Sequence, residues 1–178
     1  MLTVGDKLPE FTVPVQQGTD ALPAGETLSH DAFPGKWKVL FYWPKDFTFV
    51  CPTEIAAFAK LGKDFEDRDT VVLGGSTDNE FTKLAWRRDH ADLNKLPIWQ
   101  FADNGGKLAR ALGVLDEEEG VALRATFVVD PHNVIQHVYV TNLNVGRSPE
   151  DTLRVVDALQ TDELCACNRP VGGDTLAA

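Results

Sequence analysis

The feature that most limits the fold is an aromatic and aliphatic run at residues 36–43, which Pro44 ends abruptly. Such a run, continuously apolar from residue 39 to residue 43, is typical of a central strand buried on both faces of a sheet. Pro52 then suits the first position of a helix. Apolar residues follow it at spacings of three, three and four, at Ile55, Phe58, Leu61 and Phe65. A buried strand followed by an amphipathic helix indicates an α/β protein.

Strand and helix signals alternate through the rest of the chain. Further strands are predicted around residues 11–15, 70–73 and 98–101, and an antiparallel hairpin is predicted from residues 125–129 and 134–140. Helices are predicted around residues 81–85, with Thr77 and Asp78 as capping candidates, around residues 108–112, and after Ser148. This order predicts a mixed central β-sheet with helices on both faces. No repeat or boundary divides residues 1–178, so we expect a single domain.

The charge of the chain limits its partners. Its 17 Lys and Arg residues face 27 Asp and Glu residues, a net charge of −10. Nucleic acids and anionic membrane surfaces would repel such a chain, so neither is expected as a partner. No stretch approaches the ~20 apolar residues of a spanning helix, and the N-terminus lacks a basic region followed by an apolar run. We therefore expect a cytoplasmic protein.

The chain has three cysteines, Cys51, Cys165 and Cys167, and an odd number argues against a purely structural set of disulfides. Any one of them, taken alone, could be a buried small hydrophobic residue. Cys51 stands at the predicted start of a helix, where free N–H groups and the helix dipole favour a thiolate. Position alone thus leaves two interpretations open, a nucleophile and a packing residue.

Residues 44–51 read Pro-Lys-Asp-Phe-Thr-Phe-Val-Cys and resemble the Pro-x-x-x-Thr-x-x-Cys active-site signature of the peroxiredoxins. The continuation Pro52-Thr53-Glu54 is similar to the two-cysteine subfamily that includes the catalytic subunits of bacterial alkyl hydroperoxide reductases. Residues 124–130 and Gly146-Arg147-Ser148 resemble two further family motifs. Residues 163–167, Glu-Leu-Cys-Ala-Cys, resemble the three-cysteine, actinobacterial form. The resemblance runs from about residue 36 to about residue 167.

The resemblance implies a thioredoxin-like fold and a thiol-dependent peroxidase for hydrogen peroxide and organic hydroperoxides, without metal, flavin or haem. In this interpretation Cys51 attacks the peroxide and Arg124 holds the thiolate and the developing charge. Thr48 would donate its hydroxyl to the peroxide, and Pro44 would shield the site from water. Each has a simpler alternative: Pro44 could end a strand, Thr48 could cap a turn, and Arg124 could make a weak ion pair.

Two more residues are implied to support the site. Glu54 and Arg147 resemble the family's supporting pair, in which the acid orients the arginine. Glu54 could equally be a first-turn acid that favours the helix N-terminus.

The resemblance also assigns roles to the two late cysteines, which lie in a predicted C-terminal tail, residues 163–178. Cys165 is implied to resolve the Cys51 sulfenic acid as an intersubunit disulfide of a homodimer, and the resemblance also implies a ring of such dimers. Cys167 could be a second resolving thiol, could shuttle the disulfide, or could be a spare thiol. The tail lacks the Tyr-Phe ending of easily inactivated relatives, so we expect an unpacked tail and resistance to overoxidation.

Electrons must return from a disulfide reductant, for which the resemblance implies thioredoxin, a flavin-linked reductase or a small Cys-x-x-Cys protein. Two other functions remain as alternatives, a thioredoxin-like thiol-disulfide exchanger and a holdase chaperone. A zinc site is not expected, because no Cys-x-x-Cys or His-Glu-x-x-His spacing occurs. The four tryptophans, Trp37, Trp43, Trp86 and Trp99, are predicted core residues.

Overall fold

The computed structural model of the chain describes residues 1–19 and 26–176. Residues 20–25 of the N-terminal region and residues 177–178 of the predicted tail lie outside the described residues. The strands are β1 (Thr12–Gln16), β2 (Thr27–Ser29), β3 (Trp37–Tyr42), β4 (Thr70–Ser76), β5 (Trp99–Ala102), β6 (Leu115–Asp116), β7 (Val121–Ala122), β8 (Arg124–Val129) and β9 (Ile135–Thr141). The helices are α1 (Cys51–Lys60), α2 (Gly62–Glu66), α3 (Glu80–Asp89), α4 (Lys107–Leu112) and α5 (Pro149–Leu159).

Among the described residues, the main sheet has seven strands in the order β2-β1-β5-β4-β3-β8-β9. β4 runs parallel to both of its neighbours, β3 and β5, whereas β8 pairs antiparallel with β3 and with β9. The predicted mixed sheet and the predicted hairpin of β8 and β9 are therefore confirmed. Because β3 and β8 are antiparallel, the start of β8 lies beside the end of β3, and this meeting point positions the site described below.

β3 lies at the centre of the sheet and is buried on both faces, as its sequence predicts. Val39 and Phe41 belong to the apolar core on one face, and Leu40 and Tyr42 belong to the core on the other. The alternation follows from the two-residue period of a strand. α4 packs in the core that contains Leu40, and α1, α2, α3 and α5 pack in the core that contains Phe41. The expectation of helices on both faces is confirmed.

The helix predicted to begin at Pro52 differs from the prediction in two details. It begins one residue earlier, at Cys51, so that Pro52 is the second helical residue. It also breaks at Leu61, where φ is −90° and ψ is 7°, and a second short helix begins at Gly62. Apolar spacing continues across this break, which is why the sequence predicts one helix.

The capping residue of α3 is Asn79, whose side chain accepts a hydrogen bond from Thr82 N at 2.9 Å. The prediction of Thr77 or Asp78 as the cap is therefore wrong. The Asp78 carboxylate instead accepts a hydrogen bond from Asp46 N at 2.8 Å. Three short strands, β2, β6 and β7, were not predicted, because two or three residues are too few to show an alternating pattern. Within residues 1–19 and 26–176, no helix is both long and apolar enough to cross a membrane.

Candidate active site

Cys51 is the first residue of α1 and is almost fully buried, with 1% of its surface exposed. The N-cap of the helix is Val50, which has no polar side chain to cap the first turn. The partial positive charge of the helix N-terminus is therefore not neutralised by a side-chain cap beside the sulfur. Cys51 Sγ lies 2.9 Å from Thr48 Oγ1 and 3.4 Å from Arg124 Nη1. Two hydrogen-bond donors from different segments therefore lie beside the Cys51 sulfur.

Arg124 is the first residue of β8 and reaches the site from the sheet. Its guanidinium is held at three points. Nε donates to Leu143 O at 2.7 Å, and Nη1 donates to Glu54 Oε2 at 2.6 Å and faces the Cys51 sulfur. A buried guanidinium fixed in this way is pre-organised for an anion at the position of the sulfur.

Glu54, one turn into α1, lies between two arginines. Arg147 donates to Glu54 Oε1 from its backbone N at 3.0 Å and from Nε at 2.8 Å, and to Oε2 from Nη2 at 2.9 Å. Arg147 Nη1 also donates to Ala125 O at 2.7 Å, which anchors it to β8. The structure thus places Glu54 and Arg147 together. Sequence patterns did not reveal that the same carboxylate binds Arg124.

Thr48 is the second donor beside the sulfur. Its Oγ1 lies 2.9 Å from Lys45 O as well as 2.9 Å from Cys51 Sγ. A hydroxyl has one hydrogen, so it donates to one of these acceptors at a time and can turn toward a third. Pro44 is buried in the same loop, directly after β3. Its role as a shield stays a prediction.

A buried ion pair that no sequence pattern revealed lies under this loop. Lys83 of α3 has no exposed surface, and its Nζ is 3.3 Å from Asp46 Oδ2. Burial lowers the pKa of Lys83, and the charges of Asp46 and Asp78 act in the opposite direction. In the sequence, only spacing indicates that Lys83 is buried: it precedes the buried Trp86 by three residues and shares its helix face.

The two late cysteines lie on a different part of the described structure. All three cysteines are free, and Cys165 is half-buried against the end of α5. Its Sγ lies 3.8 Å from Ala158 O and 3.5 Å from Thr161 Oγ1. Cys165 lines a groove of about 950 Å³ formed by α5, β9 and the tail, whereas Cys167 is exposed. Cys165 therefore does not contact Cys51 within this chain.

The tail that carries both cysteines is fastened to α5. Asp157 Oδ2 accepts hydrogen bonds from Arg169 Nη1 at 2.6 Å and from Gly172 N at 2.9 Å, and Oδ1 accepts from Arg68 Nε at 2.9 Å. Burial raises the pKa of Asp157, but these hydrogen bonds outweigh it and the net pKa lies below the usual value. The expectation of an unpacked tail is wrong at these two anchors, whereas most of the other side chains of residues 163–176 are exposed.

Two other predictions concern the surroundings of the site. Trp43 and Trp86 are core residues, as predicted, whereas Trp37 and Trp99 are only partly buried against the core. Among residues 1–19 and 26–176, no group of three or more His, Cys, Asp or Glu side chains is arranged to hold a metal ion.

Comparison with known proteins gives a consistent set of relatives. Residues 4–138 match the AhpC/TSA family. Over 186 aligned positions the chain is 50% identical to alkyl hydroperoxide reductase C of Mycolicibacterium smegmatis, with 100% of this chain and 95% of that protein covered.

Solved structures agree with the sequence match. Mycobacterium tuberculosis AhpC superposes with a TM-score of 0.86 at 50% identity, covering 94% of this chain and 98% of that one. The reduced Plasmodium vivax 2-Cys peroxiredoxin superposes with a TM-score of 0.89 at 30% identity, covering 98% of this chain and 92% of that one. Both the sequence and the backbone are thus similar over nearly the whole length.

Proposed function

The chain belongs to the AhpC/TSA family, and we propose that Cys51 is the nucleophile with which it carries out the peroxidase reaction of that family. The chain is a thiol-dependent peroxidase of the peroxiredoxin type. The observation that supports Cys51 as its nucleophile is the pair of donors at the sulfur, Thr48 Oγ1 at 2.9 Å and Arg124 Nη1 at 3.4 Å. An attack on a peroxide requires a thiolate with hydrogen-bond donors beside it.

In the first step the Cys51 thiolate attacks one oxygen of the peroxide. A sulfur–oxygen bond forms, the oxygen–oxygen bond breaks, and the second oxygen leaves with the electron pair. Arg124 and the Thr48 hydroxyl stabilise the negative charge as it moves from sulfur to the leaving oxygen. Protonation of that oxygen gives water from hydrogen peroxide or an alcohol from an organic hydroperoxide, and Cys51 becomes a sulfenic acid.

Glu54 and Arg147 contribute to this step by holding Arg124 in position. Glu54 joins both guanidinium groups, and Arg147 is itself tied to β8 through Ala125 O. The two arginines and one carboxylate leave one net positive charge beside the sulfur. Because Arg147 makes no hydrogen bond to Cys51 among those of the described residues, we assign it to holding Glu54, and Glu54 to aiming Arg124.

In the second step the Cys165 thiol attacks the Cys51 sulfenic acid, which forms a disulfide and releases water. Both partners must first become accessible. Cys51 is 1% exposed at the start of α1, so the first turn of that helix must open, and Cys165 must leave its contacts with Ala158 and Thr161. Local opening of a helix end and an irregular tail requires far less free energy than global unfolding. Cys167 lies two residues from Cys165 and is exposed, so its thiol can displace Cys165 from the disulfide with Cys51.

We further propose that this disulfide joins two chains. The family forms oligomers, and β9 is an edge of the seven-stranded sheet. A seven-residue edge strand readily pairs with the same strand of a second copy. Three exposed aromatic residues, Phe47, Phe49 and Phe81, offer a second surface by which dimers could assemble into a ring.

The cycle closes when a dithiol reduces the disulfide, which supplies two electrons and two protons. Thioredoxin, a flavin-linked reductase and a small Cys-x-x-Cys protein all have the required chemistry. The cycle needs a reducing compartment, and for that reason we place it in the cytoplasm.

The proposal is tested by adding one equivalent of hydrogen peroxide to the reduced chain and running non-reducing and reducing gels. We expect the wild type to form a disulfide-linked dimer within seconds. Cys51→Ser and Cys165→Ser should remain monomeric on the gel, and Cys167→Ser should still form the dimer.

Other outcomes assign the roles differently. A dimer that persists in Cys165→Ser would move the resolving role to Cys167. A wild type whose Cys51 does not oxidise rapidly would refute the proposed nucleophile and favour the thiol-disulfide exchanger.

A further inference from the structure

The buried Lys83 is not used by the mechanism above, although it lies under the loop that carries Thr48. Its Nζ donates to Ser76 Oγ at 2.7 Å and to both Asp46 oxygens at 3.3 Å. It also lies 4.9 Å from the ring centroid of Trp43, at cation–π distance. An ammonium with no exposed surface is rare, because burial of an unpaired charge is strongly unfavourable. The side chain is therefore held by its three partners.

Asp46 connects this cluster to the active-site loop. It lies two residues after Pro44 and two residues before Thr48, and its Oδ1 accepts from Trp43 Nε1 at 2.6 Å and from Ser76 Oγ at 2.9 Å. Its backbone N donates to Asp78 Oδ2 at 2.8 Å. One residue thus fastens the loop to the ends of β3 and β4 and, through Lys83, to α3. The loop cannot shift at this point without separating two buried charges.

The loop between Asp46 and Cys51 includes a strained residue. Phe47 has φ of 56°, in the left-handed region that residues with a Cβ avoid. Such a conformation persists only where the flanking structure fixes it. The fixed points are Asp46 on one side and the start of α1 on the other. The turn they enforce places Thr48 Oγ1 at 2.9 Å from the Cys51 sulfur.

We propose that Lys83 is a positioning residue for the peroxide reaction, acting through Asp46 to hold the strained loop that aligns Thr48 with the Cys51 sulfur. The inference rests on the proposed role of Cys51 and adds a residue outside its contacts. Removal of the ion pair would relax Phe47, so that Thr48 no longer points at the peroxide. A misplacement of about 1 Å lowers a rate by about 100-fold.

The test uses chains in which Cys165 and Cys167 are serine, so that Cys51 is the only thiol. The variants are Lys83→Met, Asp46→Asn and the double variant, with Lys63→Met as a control that removes an exposed lysine from an ion pair. Two rates are measured for each folded chain: the reaction with hydrogen peroxide, by competition with a haem peroxidase, and alkylation by iodoacetamide. Alkylation needs an accessible thiolate but no alignment with Thr48.

We expect the peroxide rate to fall about tenfold or more in all three variants, with no fall in the alkylation rate and no change in Lys63→Met. Because the two residues act as one pair, the double variant should lose about the same factor as each single variant. Peroxide rates within about twofold of the parent would overturn the inference. So would a parallel fall of both rates, since Lys83 would then act on the thiolate and not on alignment.

Two further outcomes can be distinguished from those that test the role of Lys83. If the parent with Cys51 alone reacts with peroxide no faster than free cysteine, the proposed function fails and not merely the role of Lys83. If the charge variants do not fold, Ser76→Ala removes the shortest contact of Lys83 without changing a charge. It should slow the peroxide reaction and leave alkylation unchanged, and equal peroxide rates would overturn the inference.

Discussion

Exchanging Glu54 for glutamine keeps the shape of the side chain and removes its charge from between two buried arginines. The carboxylate is 2% exposed and accepts from Arg124 Nη1 at 2.6 Å and from Arg147 Nε and Nη2 at 2.8 and 2.9 Å. A glutamine amide offers one oxygen in place of two, and its NH₂ group faces a guanidinium that can only donate. At least one of these hydrogen bonds must therefore be lost.

The size of the effect follows from burial. Removing one partner of a buried ion pair costs about 3–5 kcal/mol, because the remaining charge stays in a medium of low polarity. Two guanidinium groups share the loss here, and we expect the free energy of unfolding to fall by about 3 kcal/mol. Without the charge of Glu54, Arg124 would also be aimed less firmly at Cys51, which should lower the peroxide rate by about 100-fold.

The matched control is Glu117→Gln. Glu117 binds Arg110 in the same two-point manner, at 2.8 and 2.9 Å, but the pair is exposed on the surface. Urea unfolding of reduced protein, at one chain concentration, compares the two variants. Glu117→Gln should unfold at the wild-type urea concentration and retain the wild-type peroxide rate.

Two results would refute this reasoning. If Glu54→Gln and Glu117→Gln unfold at the same urea concentration, the buried carboxylate does not stabilise the site. If Glu54→Gln is destabilised but its folded fraction reacts with peroxide at the wild-type rate, Glu54 stabilises the fold without aiming Arg124.

Further predictions concern the donor, the tail and a reporter. Thr48→Val, which keeps the shape and removes the hydroxyl, should lower the peroxide rate by about 100-fold, while Thr48→Ser should stay close to wild type; equal rates in competition assays would contradict this. Arg169→Met removes a contact that fastens the tail, so the disulfide should form faster and less Cys51 should appear as sulfinic acid in mass spectra at millimolar peroxide; slower disulfide formation would contradict it. The docked tail lowers the pKa of Asp157, so the carboxylate stabilises docking fully at pH values above its ordinary pKa of 3.8. This stabilisation is lost only as the pH falls through the lower pKa of the docked state. The hydrogen-exchange rate of the tail, corrected for the intrinsic rate, should therefore be equal at about pH 6 and pH 8. Trp43 donates to Asp46 in the active-site loop, so its fluorescence should change when Cys51 is oxidised, and an unchanged spectrum would show that Asp46 and Trp43 do not move.

The parts of the site that the sequence predicted are those set by local spacing. Thr48 and Cys51 are three residues apart and meet because the loop leads directly into a helix. β3 was predictable because its apolar run fits a strand with two buried faces, and the thioredoxin-like fold implied by the resemblance is confirmed by similar solved structures. Arg124 and Glu54 were named through motifs. Their contact depends on how β8 and α1 meet, which no local pattern contains.

The parts that the sequence did not predict are charged groups that are buried. Lys83 and Arg87 lie four residues apart on α3, a spacing that favours an exposed charged face, yet neither has exposed surface. Their burial depends on partners from distant segments, such as Asp46 for Lys83 and Gln100 for Arg87. The tail is a similar case. Its Gly- and Pro-rich sequence favours an irregular chain, which is correct, but does not reveal that Arg169 and Gly172 fasten it to Asp157 of α5.

The proposed cycle places two conflicting demands on the site. In that cycle, reaction with peroxide needs Cys51 buried and aligned, whereas formation of the disulfide needs it accessible. Arg124 is the first residue of β8 and donates to Leu143 O, and Arg147 donates to Ala125 O of β8, so both arginines also have anchors outside α1. In the proposed cycle, Arg124 loses its 3.4 Å contact with the Cys51 sulfur when the start of α1 opens and regains it when the loop closes. We therefore expect the contact between Arg124 and Cys51, which the proposed attack on peroxide uses, also to favour closing of the loop after each reduction.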